Sequence, residues 1–84
     1  MLCPRPIKVK PLENYMLLLH FDNGEKKIFD VSPYLSGEWY GKLRDKTNFN
    51  TVHILNKHIE WNGGQDIAPH ELYENSLLIS DELI

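Results

Sequence analysis

The sequence carries one cysteine, Cys3. A disulfide within the chain is therefore excluded, and a zinc site built on thiolates lacks its ligands. A single thiol fits a reducing compartment. The first residues, Met1 to Pro6, show no basic start followed by an apolar stretch, so no secretory signal is expected. Long apolar runs are also missing. The longest, Tyr15 to Leu19, has five residues, where a membrane helix needs about 20. Together these absences predict a cytoplasmic protein with no membrane partner. Lysine and arginine stop at Lys57. From His58 to Ile84 there are six acidic residues (Glu60, Asp66, Glu71, Glu74, Asp81, Glu82) and no basic one. The net charge of −3 argues against nucleic acid as the main partner, because phosphate binding needs a basic surface.

What is present reads as one small domain. The 84 residues leave room for a single core. Hydrophobic residues make up 42% and charged residues 25%, which sets the chain apart from disordered sequences. Ile7 to Lys10 alternates apolar and charged, as a half-exposed strand does. Lys8 and Lys10 would face water and keep an edge strand from pairing with other chains. Tyr15 to Phe21 and Glu25 to Val31 read as two strands joined by Asn23-Gly24, a strong signal for a two-residue turn. That turn pairs Asp22 with Glu25, and sets Leu19 opposite Ile28 and Leu18 opposite Phe29. A slip of one residue would set Leu19 against Lys27 instead.

Ser32-Pro33 opens a single helical turn, and Glu38 to Arg44 a second short helix. Asp45 to Asn48 reads as loop, and Phe49 to Leu55 as a strand. Asn56-Lys57 turns into His58 to Trp61, and Asn62-Gly63-Gly64 ends that arm. Pro69 to Asn75 is predicted helical, with Leu72 and Tyr73 facing inward. The order β-β-β-α-β-β-α predicts an α+β fold: a mainly antiparallel sheet of about five strands with short helices packed on one face.

Val9, Leu12, Tyr15, the run Phe21-Asp22-Asn23-Gly24-Glu25, Phe29-Asp30-Val31 before Pro33, Leu43 and Phe49 form one part of a wider pattern. Ile59-Glu60-Trp61 and Asp66-Ile67-Ala68-Pro69 before Leu72-Tyr73 complete it. In these residues the chain resembles the bacterial family called domain of unknown function 2442, from about Pro6 to Ser76. The resemblance implies a small α+β domain. It also implies that some relatives stand beside another small protein in what looks like a toxin–antitoxin pair. Others are joined to a helix-turn-helix domain, for which this chain has no room. The family transfers no catalytic residue.

Tested for chemistry, the sequence offers little. His20, His53, His58 and His70 show neither a His-Glu-x-x-His spacing nor a thiolate partner. His53 and His58 flank a turn, and Asp66 and His70 stand four apart. They read as surface or partly buried residues, so no metal or cofactor is expected. Cys3 has no neighbouring histidine or cation to activate it. Asp22, Asp30 and Asp66 are explained by a turn, a strand end and help in capping the last helix. No catalytic residue is assigned, and the chain is not expected to be an enzyme.

Two surfaces remain as candidates. Leu77, Leu78, Ile79, Leu83 and Ile84, with Glu71 and Glu74 nearby, would engage a protein partner or a second copy of the chain. That reading makes the chain an interaction module, antitoxin-like or regulatory. The other surface is Trp39, Tyr40, Lys42, Arg44 and Lys46, where aromatics among cations could stack bases in a nucleic-acid adaptor.

Overall fold

The computed structural model describes residues 3–79. The elements, in chain order, are β1 (Pro6–Pro11), β2 (Met16–Phe21), β3 (Lys26–Asp30), α1 (Lys46–Phe49), β4 (His53–Leu55), β5 (His58–Glu60), β6 (Asp66–Ile67), α2 (Pro69–Asn75) and β7 (Leu77–Leu78). Single 3-10 turns stand at Glu13–Tyr15, Ser32–Tyr34 and Gly41–Arg44. The fold is α+β and the pairing antiparallel, as the sequence predicts. The strands divide into two sheets, ordered β1-β2-β3-β7 and β4-β5-β6. The extra strands come from Asp66-Ile67 and Leu77-Leu78, each too short to show periodicity.

The first hairpin corrects the predicted register. Leu17 stands opposite Phe29, Leu18 opposite Ile28 and Leu19 opposite Lys27. The loop has three residues, not two. Phe21 N–H donates to the Glu25 carbonyl at 2.9 Å, and Gly24 N–H to the Phe21 carbonyl at 3.0 Å. Only Gly24 takes a positive φ, +89°, as expected of a turn closed by a glycine bulge. One local bond and two to Arg5 favour this loop. Asn23 Oδ1 accepts from Glu25 N–H at 3.0 Å. Asp22 is drawn toward β1, its N–H donating to the Arg5 carbonyl at 2.9 Å and its Oδ1 accepting from Arg5 N–H at 3.1 Å. Asp22 and Glu25 are therefore not a pair. The sequence Trp61-Asn62-Gly63-Gly64-Gln65 repeats the device, with Gly64 at φ +93° and Trp61 N–H on the Gln65 carbonyl. The two-residue turn with positive φ at both positions occurs instead at Asn56-Lys57.

The crossover also differs from its prediction. Asp45 caps α1, its side chain accepting from Thr47 N–H at 2.9 Å, so the predicted loop becomes a helical turn. That turn buries Phe49 and shortens the predicted Phe49–Leu55 strand to His53–Leu55. Of the predicted Glu38–Arg44 helix, Gly41 to Arg44 forms a 3-10 turn. Asp66 is taken up by β6, and α2 begins after Ala68 with no side-chain cap.

The core lies between the sheets. Leu17, Leu19, Phe21, Phe29 and Val31 come from the first. Ile59 and Ile67 come from the second, with Ile54 packed against them. Ile54, Ile59 and Ile67 stand directly opposite one another across β4, β5 and β6, so one row of β-branched side chains closes that face. Leu43, Phe49, Trp61 and Leu72 fill the space between.

Candidate interaction surface

The tail pairs with the chain's own sheet. β7 lies beside β3, with Leu77 opposite Ile28 and Leu78 opposite Lys27. Ile79 N–H continues the ladder to the Lys26 carbonyl at 3.1 Å. Among the described residues β7 ends its sheet. Pairing leaves the side chains outside: Leu77 is 75% exposed and Leu78 63%. Ile79 is half-buried. Leu83 and Ile84 lie outside the described residues.

The strand is positioned by α2, and α2 is tied to the first sheet by a polar cluster. Tyr73 donates its hydroxyl to Glu25, and Lys27 Nζ donates to the Tyr73 carbonyl at 2.6 Å while lying 3.7 Å from the centroid of the Tyr73 ring. The Tyr73 hydroxyl, joined by the Asn23 amide, holds the Glu25 carboxyl below its usual value. The same bond, with burial behind it, raises Tyr73. Glu71 is committed inward, accepting from the Tyr34 hydroxyl. Burial, and then Glu71, push Tyr34 well above the usual phenol range. Burial, then Asp66 and Glu71, raise Tyr40. Glu74 is exposed.

These three tyrosines predict a loss of stability in alkali. Each folded value lies above the unfolded one, so the unfolded chain releases its proton first. Their contribution is complete below the unfolded tyrosine value, about 10, and is lost as pH rises through the folded values. Urea midpoints should fall from about pH 10 upward, and Tyr34→Phe should flatten that fall. A midpoint unchanged while absorbance at 295 nm reports tyrosinate would contradict it.

The aromatic and basic residues at 39–46 are only partly brought together. Trp39 is 54% exposed and lies against Tyr40, ring centroids 4.9 Å apart. Tyr40 is anchored by its hydroxyl on the Asp66 carbonyl at 2.8 Å and packs on Tyr34. Arg44 turns back, its Nε donating to the Gly41 carbonyl at 3.2 Å. Lys42 and Lys46 border different clefts, one beside Trp61 and Gln65 and the other beside Pro11 and Tyr15.

The histidines are dispersed. His53 Nδ1 donates to the Thr51 carbonyl at 2.8 Å, and its Nε2 lies 3.4 Å from Glu60. His58 Nε2 accepts from Arg5 at 3.1 Å, two rungs further along the hairpin. Asp66 stands in β6 and His70 in α2, so helical spacing does not join them. Among the described residues no group of three or more His, Cys, Asp or Glu could hold a metal ion. Cys3 is half-buried. Three buried polar residues were not legible in the sequence, Ser76 among them. Lys27 is one. Gln65 is another, its Nε2 donating to the Trp39 carbonyl at 2.9 Å while Oε1 has no partner among the described residues. A lysine in a strand ordinarily faces water, and a residue after a glycine turn carries no burial signal.

No helix among the described residues is long and apolar enough to cross a membrane. Compared with known proteins, residues 6–77 match the family model described as "Protein of unknown function (DUF2442)". No curated protein and no solved structure matches.

Proposed function

The chain belongs to the DUF2442 family of proteins of unknown function, and we propose that it is a non-enzymatic protein-interaction module, the antitoxin-like or regulatory member of a two-protein pair. One observation carries the reading: Leu77 and Leu78 are both exposed, one on each face of a strand that ends its sheet. A strand edge offers backbone donors and acceptors to an extended segment, and flanking apolar side chains add burial. Covering each leucine is worth about 1.5–3 kcal/mol. The chain from His58 onward has acidic residues and no lysine or arginine, so the occupant that fits is an extended apolar segment flanked by basic residues. A nucleic-acid adaptor centred on Trp39 is a second reading, favoured by the exposed ring and weakened by the separation of Lys42 from Lys46.

The test is co-expression with the product of the adjacent gene, followed by a size measurement. The expected result is a stoichiometric complex that loosens as salt rises. Replacing Leu77 and Leu78 together by aspartate should weaken it at least about tenfold while the circular dichroism spectrum stays unchanged. A monomer indifferent to its neighbour, or a complex untouched by the double variant, would sink the proposal.

A further inference from the structure

At the opposite edge of the first sheet, β1 packs beside β4, the outer strand of the second sheet, without sharing a ladder. Between them lies a cleft of about 590 Å³, within the range of about 300–1,000 Å³ typical of small-molecule sites. Its polar lining is Lys8, Lys10, His20 and His53. In a chain of net charge −3 no carboxylate lines it. The carboxylate that approaches is Glu60, held against His53 at 3.4 Å.

The register explains why these groups converge. Lys8 stands opposite His20 and Lys10 opposite Leu18, and directly opposed residues of an antiparallel pair share a face. Lys8 and Lys10 are two residues apart on one strand, about 7 Å. The side chains of Lys8, Lys10 and His20 make no hydrogen bond or ion pair among the described residues, so their donors are unspent. The rest of the lining is apolar: Val9 and Leu18 from the first sheet, Val52 and Ile54 from the second approach. Leu18 and Val52 are 7% and 8% exposed, which makes the floor part of the packed structure.

We propose that this cleft binds a small organic phosphate of mononucleotide size. The phosphate would accept from Lys8, Lys10 and His20, and the apolar body would lie on Leu18 and Val52. Phosphate suits this lining because several donors converge on it and it has oxygens for each. An apolar body suits the floor because it displaces water from side chains that make no hydrogen bond. The site lies at the far edge of the sheet from β7, so it stands or falls apart from the partner proposal.

Adenosine monophosphate is the probe, titrated into the full chain and followed by amide NMR shifts, with inorganic phosphate and adenosine as controls. The expected result is saturable binding that moves the amides of residues 8–10, 18–20 and 52–54 and weakens with salt. Lys8→Glu with Lys10→Glu should reduce affinity about tenfold or more. That variant separates binding from edge protection, since glutamates guard an edge strand as well as lysines do. His20→Gln, a milder change, should weaken binding without altering the fold. No saturable shift at millimolar nucleotide, shifts confined elsewhere, or unchanged affinity in the double variant would each overturn the proposal. So would equal affinity for inorganic phosphate or for adenosine, because the site is assigned to a ligand with both parts.

Discussion

Trp61→Ala is expected to remove about half of the protein's stability. Trp61 is 1% exposed and sits where the second sheet meets α1, its ring 6.1 Å from that of Phe49. Its indole N–H donates to the Phe49 carbonyl at 2.9 Å, one of the few bonds joining the β5 arm to the crossover. Truncating a buried aromatic to alanine costs about 3–5 kcal/mol. A chain of this length holds on the order of 5–10 kcal/mol in all. Trp61→Phe should cost less, about 1–2 kcal/mol. It leaves a smaller void, and the Phe49 carbonyl still accepts from Val52 N–H at 3.4 Å. Urea unfolding followed by far-ultraviolet circular dichroism measures both. A Trp61→Ala midpoint close to the wild type would show that the second sheet does not depend on this packing.

At Lys27 the size of the effect should depend on the replacement. The side chain is 9% exposed and directed across the core face of β3, opposite Leu19. Its aliphatic stem packs there, and its ammonium reaches the Tyr73 carbonyl in the last turn of α2. A cation is favoured at that end of a helix, where carbonyls lack partners. Lys27→Glu would bring a carboxylate against that carbonyl, against the negative face of the Tyr73 ring, and near Glu25. The expected loss is about 3–5 kcal/mol, the size seen when a buried charge loses its compensation. Lys27→Met should stay within about 1 kcal/mol of the wild type, because it keeps the stem and removes the charge that needs a partner. The Tyr73 carbonyl then still accepts from the Ser76 hydroxyl at 3.3 Å. Equal losses in the two variants would mean that the lost ammonium bond to the Tyr73 carbonyl, common to both, and not the introduced negative charge, decides the effect at this position.

Composition and pattern were enough for the α+β class, the antiparallel pairing, the helix at Pro69 and most of the core. Leu17, Leu19, Phe29 and Leu72 announce themselves as apolar residues at the right spacing, and burial follows because water rejects them wherever the chain can cover them. The turns at Asn56-Lys57 and Gly24 were legible as turns, since few residue types tolerate positive φ. The family resemblance was legible from the same residues, and it carries fold without chemistry.

What the sequence could not decide was which elements meet. The Asn23-Gly24 signal suits a two-residue loop and a three-residue loop alike. The choice fell to Arg5, seventeen positions before Asp22, through two backbone-distance bonds. That choice put Lys27 on the core face, where the carbonyl and the ring of Tyr73 make it tolerable. Asp45 stopped the crossover from extending by capping α1, so Phe49 entered the core from a helix and not from a strand. The tail acquired its place at the sheet edge because β3 had backbone groups left to pair. The cleft between β1 and β4 exists because two edges approach from segments more than forty residues apart. Local free energies set the elements. Register, sheet partition and the convergence of Lys8 and Lys10 with His20 and His53 depend on contacts between distant segments, which side-chain spacing along one chain does not encode.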